Sequence, residues 1–245
     1  MASCPGGPIP EMPETSLETG KSRALLHHVG VSRAPVVTID NFWGNTAPVI
    51  ALAAALGPFP PSTNYYPGVR RVIGRDDGDA FAYINGVLER AAPYILGAFG
   101  IASFRIGQAS FSMITTPSDQ LDFSQRAPHF DSVESKYLAI LHYLVPNYGT
   151  AFYRHRSSGV EEVTNLNLDR YVTEAKSQAA ATPPGYIADS NAYYEQIGTC
   201  QGLRDRLVIY PGRLLHSALV PQDITLSDDP SVGRITSNIF IKGAE

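Results

Sequence analysis

The sequence predicts a mainly β fold with flanking helices, built on a jelly-roll or small-barrel core. Three observations predict it. From residue 103 onward the period of the pattern changes to two, giving stretches of strand length at 104–114, 137–144, 149–155, 206–210, 214–220 and 234–241. Short turns rich in Pro, Gly and Asn join them, as in Pro146-Asn-Tyr-Gly149. No helix of crossover length separates the strands between 104 and 155, as a parallel β-α-β sheet would require.

The 245 residues, 44% hydrophobic and 17% charged, suffice for one large domain or two small ones. The reading is a single domain over 21–245. Residues 21–100 form a helical N-terminal support, and 101–245 form the jelly-roll core with a helical insertion at 165–200. A net charge of −4 gives no general attraction to phosphate backbones or anionic membranes, so neither nucleic acid nor membrane is expected as a partner. The start lacks the basic and apolar regions of a signal peptide, and no run approaches transmembrane length, so the expectation is a soluble cytoplasmic protein. Oligomeric state leaves no trace in the sequence. Cys4 and Cys200 are too few for a disulfide framework and read as free thiols.

Residues 1–20, rich in Pro, Gly, Glu, Ser and Thr, bury too little to offset ordering entropy and are expected to be a disordered leader. His27 and His28 have no carboxylate or cysteine at ligand spacing and read as an exposed pair. A short strand at 34–40 leads into a turn carrying Trp43, then a helix over 46–56 stopped by Gly57-Pro58. Residues 58–68 form a proline-rich aromatic loop. Asp79 is placed to cap a helix reaching about Phe99, with Ile84, Val87, Leu88 and Ala91 at helical spacing and Pro93 as a candidate break. On the strand from 104, the polar residues Arg105, Gln108, Ser110 and Ser112 are candidates to face a hydrophilic pocket. His142 reads as a core histidine and His155, between Arg154 and Arg156, as a solvated one. Two helical patterns follow, at 169–180 and 189–198.

The chemistry gathers at Ala127-Pro128-His129-Phe130-Asp131. An imidazole and a carboxylate one residue apart point to the same face of an extended chain. The third candidate is His216, after a Pro-Gly turn. Two histidines and one carboxylate make the facial triad of non-haem Fe(II) oxygenases, which leaves positions open for a co-substrate and O₂. Zn²⁺ accepts the same ligands, so a zinc hydrolase stays open, as does a non-catalytic cupin-like ligand-binding protein. On the last strand, alternation puts Arg234, Thr236 and Asn238 on one face, with a guanidinium fork suited to a carboxylate.

His129-Phe-Asp131, the distant His216 and Arg234-x-Thr236 resemble, in their order along the chain, the Fe(II)/2-oxoglutarate-dependent oxygenase superfamily. The residues 137–144 and Gly149-Thr-Ala-Phe152 resemble its prolyl 4-hydroxylase-like branch, and the Trp-Gly, Tyr-Pro-Gly, His-x-Asp and Arg-x-Thr-x-Asn signposts together resemble a bacterial family of unknown function. The likeness covers about residues 100–245. It implies a double-stranded β-helix with Fe(II) on His129, Asp131 and His216, and 2-oxoglutarate bound through Arg234 and Thr236. It further implies oxidation of an amino acid, peptide or secondary metabolite by O₂, with release of succinate and CO₂. Retention of Asp131, which related halogenases replace by a small residue, favours hydroxylation or desaturation. The interval from His216 to Arg234 exceeds the superfamily's usual one, and the loop at 222–230 accounts for the excess. The loop at 58–68 reads either as a packed connector or as a substrate mouth with Tyr65, Tyr66 and Arg70. Tyr186, Tyr193 and Tyr194 are candidate pocket walls.

Overall fold

The computed structural model describes residues 15–19, 22–63, 65–221, 224 and 226–244. In chain order the elements are β1 (Thr15–Thr19), β2 (Ser22–Val29), β3 (Ala34–Asp40), α1 (Ala47–Ala55), β4 (Gly68–Val72), α2 (Gly78–Phe99) and β5 (Phe104–Ile114). There follow β6 (Tyr137–Tyr143), β7 (Asn147–His155), α3 (Leu168–Ala181), β8 (Tyr194–Gly202), β9 (Arg206–Pro211), β10 (His216–Ala218) and β11 (Ile235–Gly243). Eight strands form an antiparallel major sheet in the order β1-β2-β3-β9-β6-β11-β5-β4, and β10-β7-β8 form a minor sheet over it. This is the mainly β, double-stranded β-helix fold with flanking helices that the sequence predicts.

Alternation along the strands separates two faces. On β11, Ile235, Ile239 and Ile241 join the core packed under α1 and α2, while Phe240 joins the cluster between the sheets. Gly107 is passed over in the pairing of β5 with β11, where Phe240 faces Gln108 and Ile241 faces Ile106, so the bulge falls on β5 and the alternation of β11 survives. α2 lays Ile84, Val87, Leu88, Ala91 and Ile95 on the sheet and ends at Gly100, whose φ of 67° glycine adopts without the strain a Cβ adds. Asp77 occupies the N-cap position and Asp79 the first turn. Pro93 does not split this helix: it is exposed, so the carbonyl of exposed Glu89 that loses its donor is left to water.

Several sequence expectations change. Residues 15–19 are strand rather than part of a frayed leader, because a threonine-rich stretch pairs with the free edge of β2. Residues 1–14, with Cys4, lie outside the described residues. The support at 21–100 contributes β2, β3 and β4 to the major sheet as well as two helices, and His27 and His28 are half-buried on β2 rather than exposed. The pattern at 189–198 is no helix: 194–202 pairs along β7, from His155↔Tyr194 to Thr150↔Cys200. Sheet pairing overrides a helical spacing of apolar residues that tertiary structure can use either way. Cys200 is a buried free thiol on that strand, pushed up to about 12 by burial. Among the described residues no helix is long and apolar enough to cross a membrane.

Candidate metal centre and its cavity

His129 and His216 meet as an isolated antiparallel bridge, each amide donating to the other's carbonyl at 2.9 Å. Two residues on, the Asp131 amide donates to the Gly212 carbonyl at 2.6 Å. Gly212 must be glycine here, since a Cβ would lie 2.5 Å from the Tyr137 ring and 3.4 Å from Asp131 Cβ. The Pro-Gly turn thus lets the chain of His129 and Asp131 close on the start of β10. One ligand atom from each of His129, Asp131 and His216 lies within 4.8 Å of the others.

The protonation pattern shows what this cluster lacks. His216 Nδ1 donates to the Leu214 carbonyl at 2.7 Å, so in the neutral ring Nε2 carries a bare lone pair. Burial pushes the His216 pKa down to about 4, so that ring is neutral at pH 7. His129 opens into the cavity, yet loss of water within its walls, and then His216 beside it, push it down to about 3. Burial raises Asp131 to about 6, opposed by His129 and Arg70, so its carboxylate is still mostly ionised at pH 7. Asp131 Oδ2 lies 3.5 Å from His216 Nε2 and has no hydrogen-bond donor among the described residues. Two acceptors facing each other without a proton repel unless a cation stands between them. The donor set, two neutral imidazoles and a carboxylate with the other side open, fits a divalent first-row metal.

The cluster opens into a cavity of about 410 Å³ between the sheets. Beside it is a polar end made by Arg234, Thr236 and Asn238, which share the cavity face as their alternation requires. Arg234 lies one residue before β11 and donates through Nη2 to the Gly149 carbonyl at 3.1 Å and to Asn147 Oδ1 at 3.5 Å. Its Nε, like Asn238 Oδ1, has no partner among the described residues. Gly149, at a φ of 95°, stands where a Cβ would come within 1.9 Å of the Cys200 carbonyl. Only glycine lets β7 run that close to β8 while turning its own carbonyl to Arg234.

Of the other candidates, Tyr65, Tyr66, Arg70, Gln108 and Tyr186 line the cavity, and the Tyr186 hydroxyl donates to the Thr116 carbonyl at 2.7 Å. The loop at 58–68 is therefore both connector and cavity wall. Tyr193 and Tyr194 do not line it and pack beneath the minor sheet with Tyr171. Arg105 is exposed on the strand end away from the cavity. His142 is the core histidine expected, held by the Tyr83 hydroxyl at 2.7 Å and Asp205 at 2.9 Å. His155 is buried rather than solvated, between Ser158 Oγ at 2.7 Å and Gln178 Oε1 at 2.6 Å. It shares its strand face with Tyr153 rather than with the flanking arginines. Sequence reasoning missed Tyr210, whose ring packs edge-on to His216 at 4.8 Å, and Asn147, which steadies Arg234. Parity along β9 was the signal for the first; Asn147, which reads as part of a turn in the sequence and opens β7 in the structure, gives none for the second.

A model described as Family of unknown function (DUF6445) matches residues 21–241, and the chain belongs to that family. No curated protein matches the sequence. Among solved structures, the fold is similar to the non-heme alpha ketoglutarate dependent epimerase SnoN from nogalamycin biosynthesis, at 12% identity and a TM-score of 0.54, over 87% of this chain and 79% of that one. A second SnoN structure, in complex with Fe3+, alpha ketoglutarate and nogalamycin RO, matches at 14% and 0.51, over 87% and 80%. HygX from Streptomyces hygroscopicus with iron bound matches at 11% and 0.51, over 87% and 84%. These likenesses bear on the fold of the oxygenase superfamily, not on its prolyl 4-hydroxylase-like branch.

Proposed function

From membership of a family whose description assigns no reaction, and from a fold shared with iron- and ketoglutarate-dependent proteins, we propose that this chain is a non-haem Fe(II)- and 2-oxoglutarate-dependent dioxygenase. It hydroxylates or desaturates a small molecule, amino acid or peptide. The observation that carries the reading is the bare Nε2 of His216 facing the unpartnered Oδ2 of Asp131 at 3.5 Å, beside His129, on the wall of a cavity that also holds Arg234.

Each residue's part follows from its surroundings. The Leu214 carbonyl holds the His216 proton on Nδ1 and aims Nε2 at the metal position. The His129–His216 bridge sets the two imidazoles, and the Gly212 carbonyl sets Asp131. Arg234, anchored by Gly149 and Asn147, offers its unpaired Nε edge to the distal carboxylate of 2-oxoglutarate, with the Thr236 hydroxyl two residues on. The aromatic rings of Tyr137, Tyr210 and Phe240 line the space between. When bound, Fe(II) would activate O₂, the oxidant: one oxygen atom would end in succinate as 2-oxoglutarate loses CO₂, and the other in the substrate's new hydroxyl group or, on desaturation, in water. A zinc hydrolase would have no need of Arg234 with Thr236.

Anaerobic calorimetric titration with Fe(II), followed by aerobic assay of succinate formed from 2-oxoglutarate, tests the proposal. One Fe(II) per chain and succinate formation, both lost in His129→Ala, support it. Iron-independent binding of small molecules with no succinate would sink it in favour of a binding protein.

A further inference from the structure

The proposed reaction uses one guanidinium, and the cavity contains two. Arg70, on β4, lies opposite Ser112 of β5 and donates through Nε to Ser112 Oγ at 3.1 Å. Ser112 Oγ is itself held by Ser110 Oγ at 3.2 Å. The Arg70 guanidinium lies over the Tyr66 ring, 4.5 Å from its centre. Edge and face are thereby fixed, while the two Nη groups carry no protein hydrogen bond among the described residues. A guanidinium steadied in this way presents a preorganised fork. The two arginines also have different charge partners: Arg70 acts on Asp131 and Tyr137, Arg234 on Tyr143 and Tyr186, and both act on Tyr66.

Charge counting gives the reason for a second cation. Asp131 is the one carboxylate among the described residues that line the cavity, against Arg70 and Arg234. A divalent metal and the 2-oxoglutarate dianion cancel, Asp131 offsets one guanidinium, and one positive charge is left over in a space walled by tyrosine and phenylalanine. An uncompensated charge in such a site is costly, and an anionic substrate removes the cost.

We propose that Arg70 anchors the carboxylate of the substrate, so that the enzyme acts on an organic acid whose apolar body lies along the aromatic wall. This rests on the iron and 2-oxoglutarate reading above. The test uses anaerobic protein loaded with Fe(II) and 2-oxoglutarate and three matched acid–amide pairs: phenylacetate, 3-phenylpropionate and hexanoate, each with its amide. Binding is read by ligand-observed NMR. At least one acid is expected to bind about tenfold or more tighter than its amide, the difference a charge-assisted pair supplies. Arg70→Gln should erase that preference and Arg70→Lys restore part of it, while the 2-oxoglutarate titration midpoint of Arg70→Gln stays within about twofold of wild type. The proposal is overturned if no acid is preferred over its amide, or if the preference survives in Arg70→Gln. It is equally overturned if Arg70→Gln weakens 2-oxoglutarate about tenfold, which would give Arg70 to the co-substrate. Failure of the cofactor reading shows separately, as wild-type protein that takes up no 2-oxoglutarate; acid preference is then read on the chain alone.

Discussion

On β11, Ile239 and Ile241 turn toward the helices and are fully buried, whereas their neighbours Asn238 and Phe240 turn toward the cavity, where Asn238 keeps an unpaired oxygen. The helix-side face has completed its packing with Ile84, Val87 and Ile95 of α2. The cavity face holds polar atoms of Asp131, Arg234 and Asn238 that have no partner among the described residues, each a cost to the protein alone. One strand thus carries core packing on its odd residues and the wall of the proposed ligand cavity on its even ones, and substitutions on the two faces should separate stability from binding.

The largest effect is expected on the cavity face. His216→Ala should weaken Fe(II) binding at least about 100-fold in anaerobic titration, since removing a ligand costs no less than disturbing its supporting partner, and leave the melting temperature near wild type. Ile239→Ala should do the reverse. It should cost about 2–5 kcal/mol by denaturant unfolding and still bind one Fe(II) per chain in the folded state. If either change moved both properties equally, the two faces would not be independent. Arg234→Ala should raise the 2-oxoglutarate dissociation constant about 10–100-fold with Fe(II) binding unchanged, the loss of a charge-assisted pair.

Acidity gives a finer test. Metal binding needs Asp131 ionised and both imidazoles neutral. With the carboxylate raised to about 6 and the histidines lowered to about 3 and 4, Asp131 is the first group to take a proton as pH falls. Fe(II) affinity should be flat above pH 6 and fall about tenfold per unit below it. A fall with the slope of two protons beginning near 6.5 would mean that the histidines titrate ordinarily. The smallest effect is Asn238→Leu, which removes an unpaired buried oxygen and should leave the empty protein unchanged or more stable by up to about 1 kcal/mol.

Alternation carried most of the legible fold, because period two is a local property that survives into the sheet. It placed Arg234, Thr236 and Asn238 on one face, and the His129-x-Asp131 spacing set two polar groups side by side. Where local pattern and long-range pairing disagree, the sequence misleads. Tyr193-Tyr-Glu-Gln-Ile197 has helical spacing, yet the open edge of β7 takes 194–202 as a strand. The basic neighbours of His155 suggested solvent, while its burial depends on Gln178 of α3, remote in sequence. The His216 tautomer and the placement of Asp131 rest on the backbone carbonyls of Leu214 and Gly212, which any residue supplies and no sequence motif reveals.

The most direct measurement is an anaerobic titration of the Fe(II)-loaded protein with 2-oxoglutarate, followed in the visible spectrum. The account predicts the weak charge-transfer band of a chelated 2-oxo acid, saturating at one equivalent per chain and shifted to higher 2-oxoglutarate concentration in Arg234→Ala. Fe(II) bound with no such band at saturating 2-oxoglutarate would contradict it, leaving a metal site whose chemistry is of another kind.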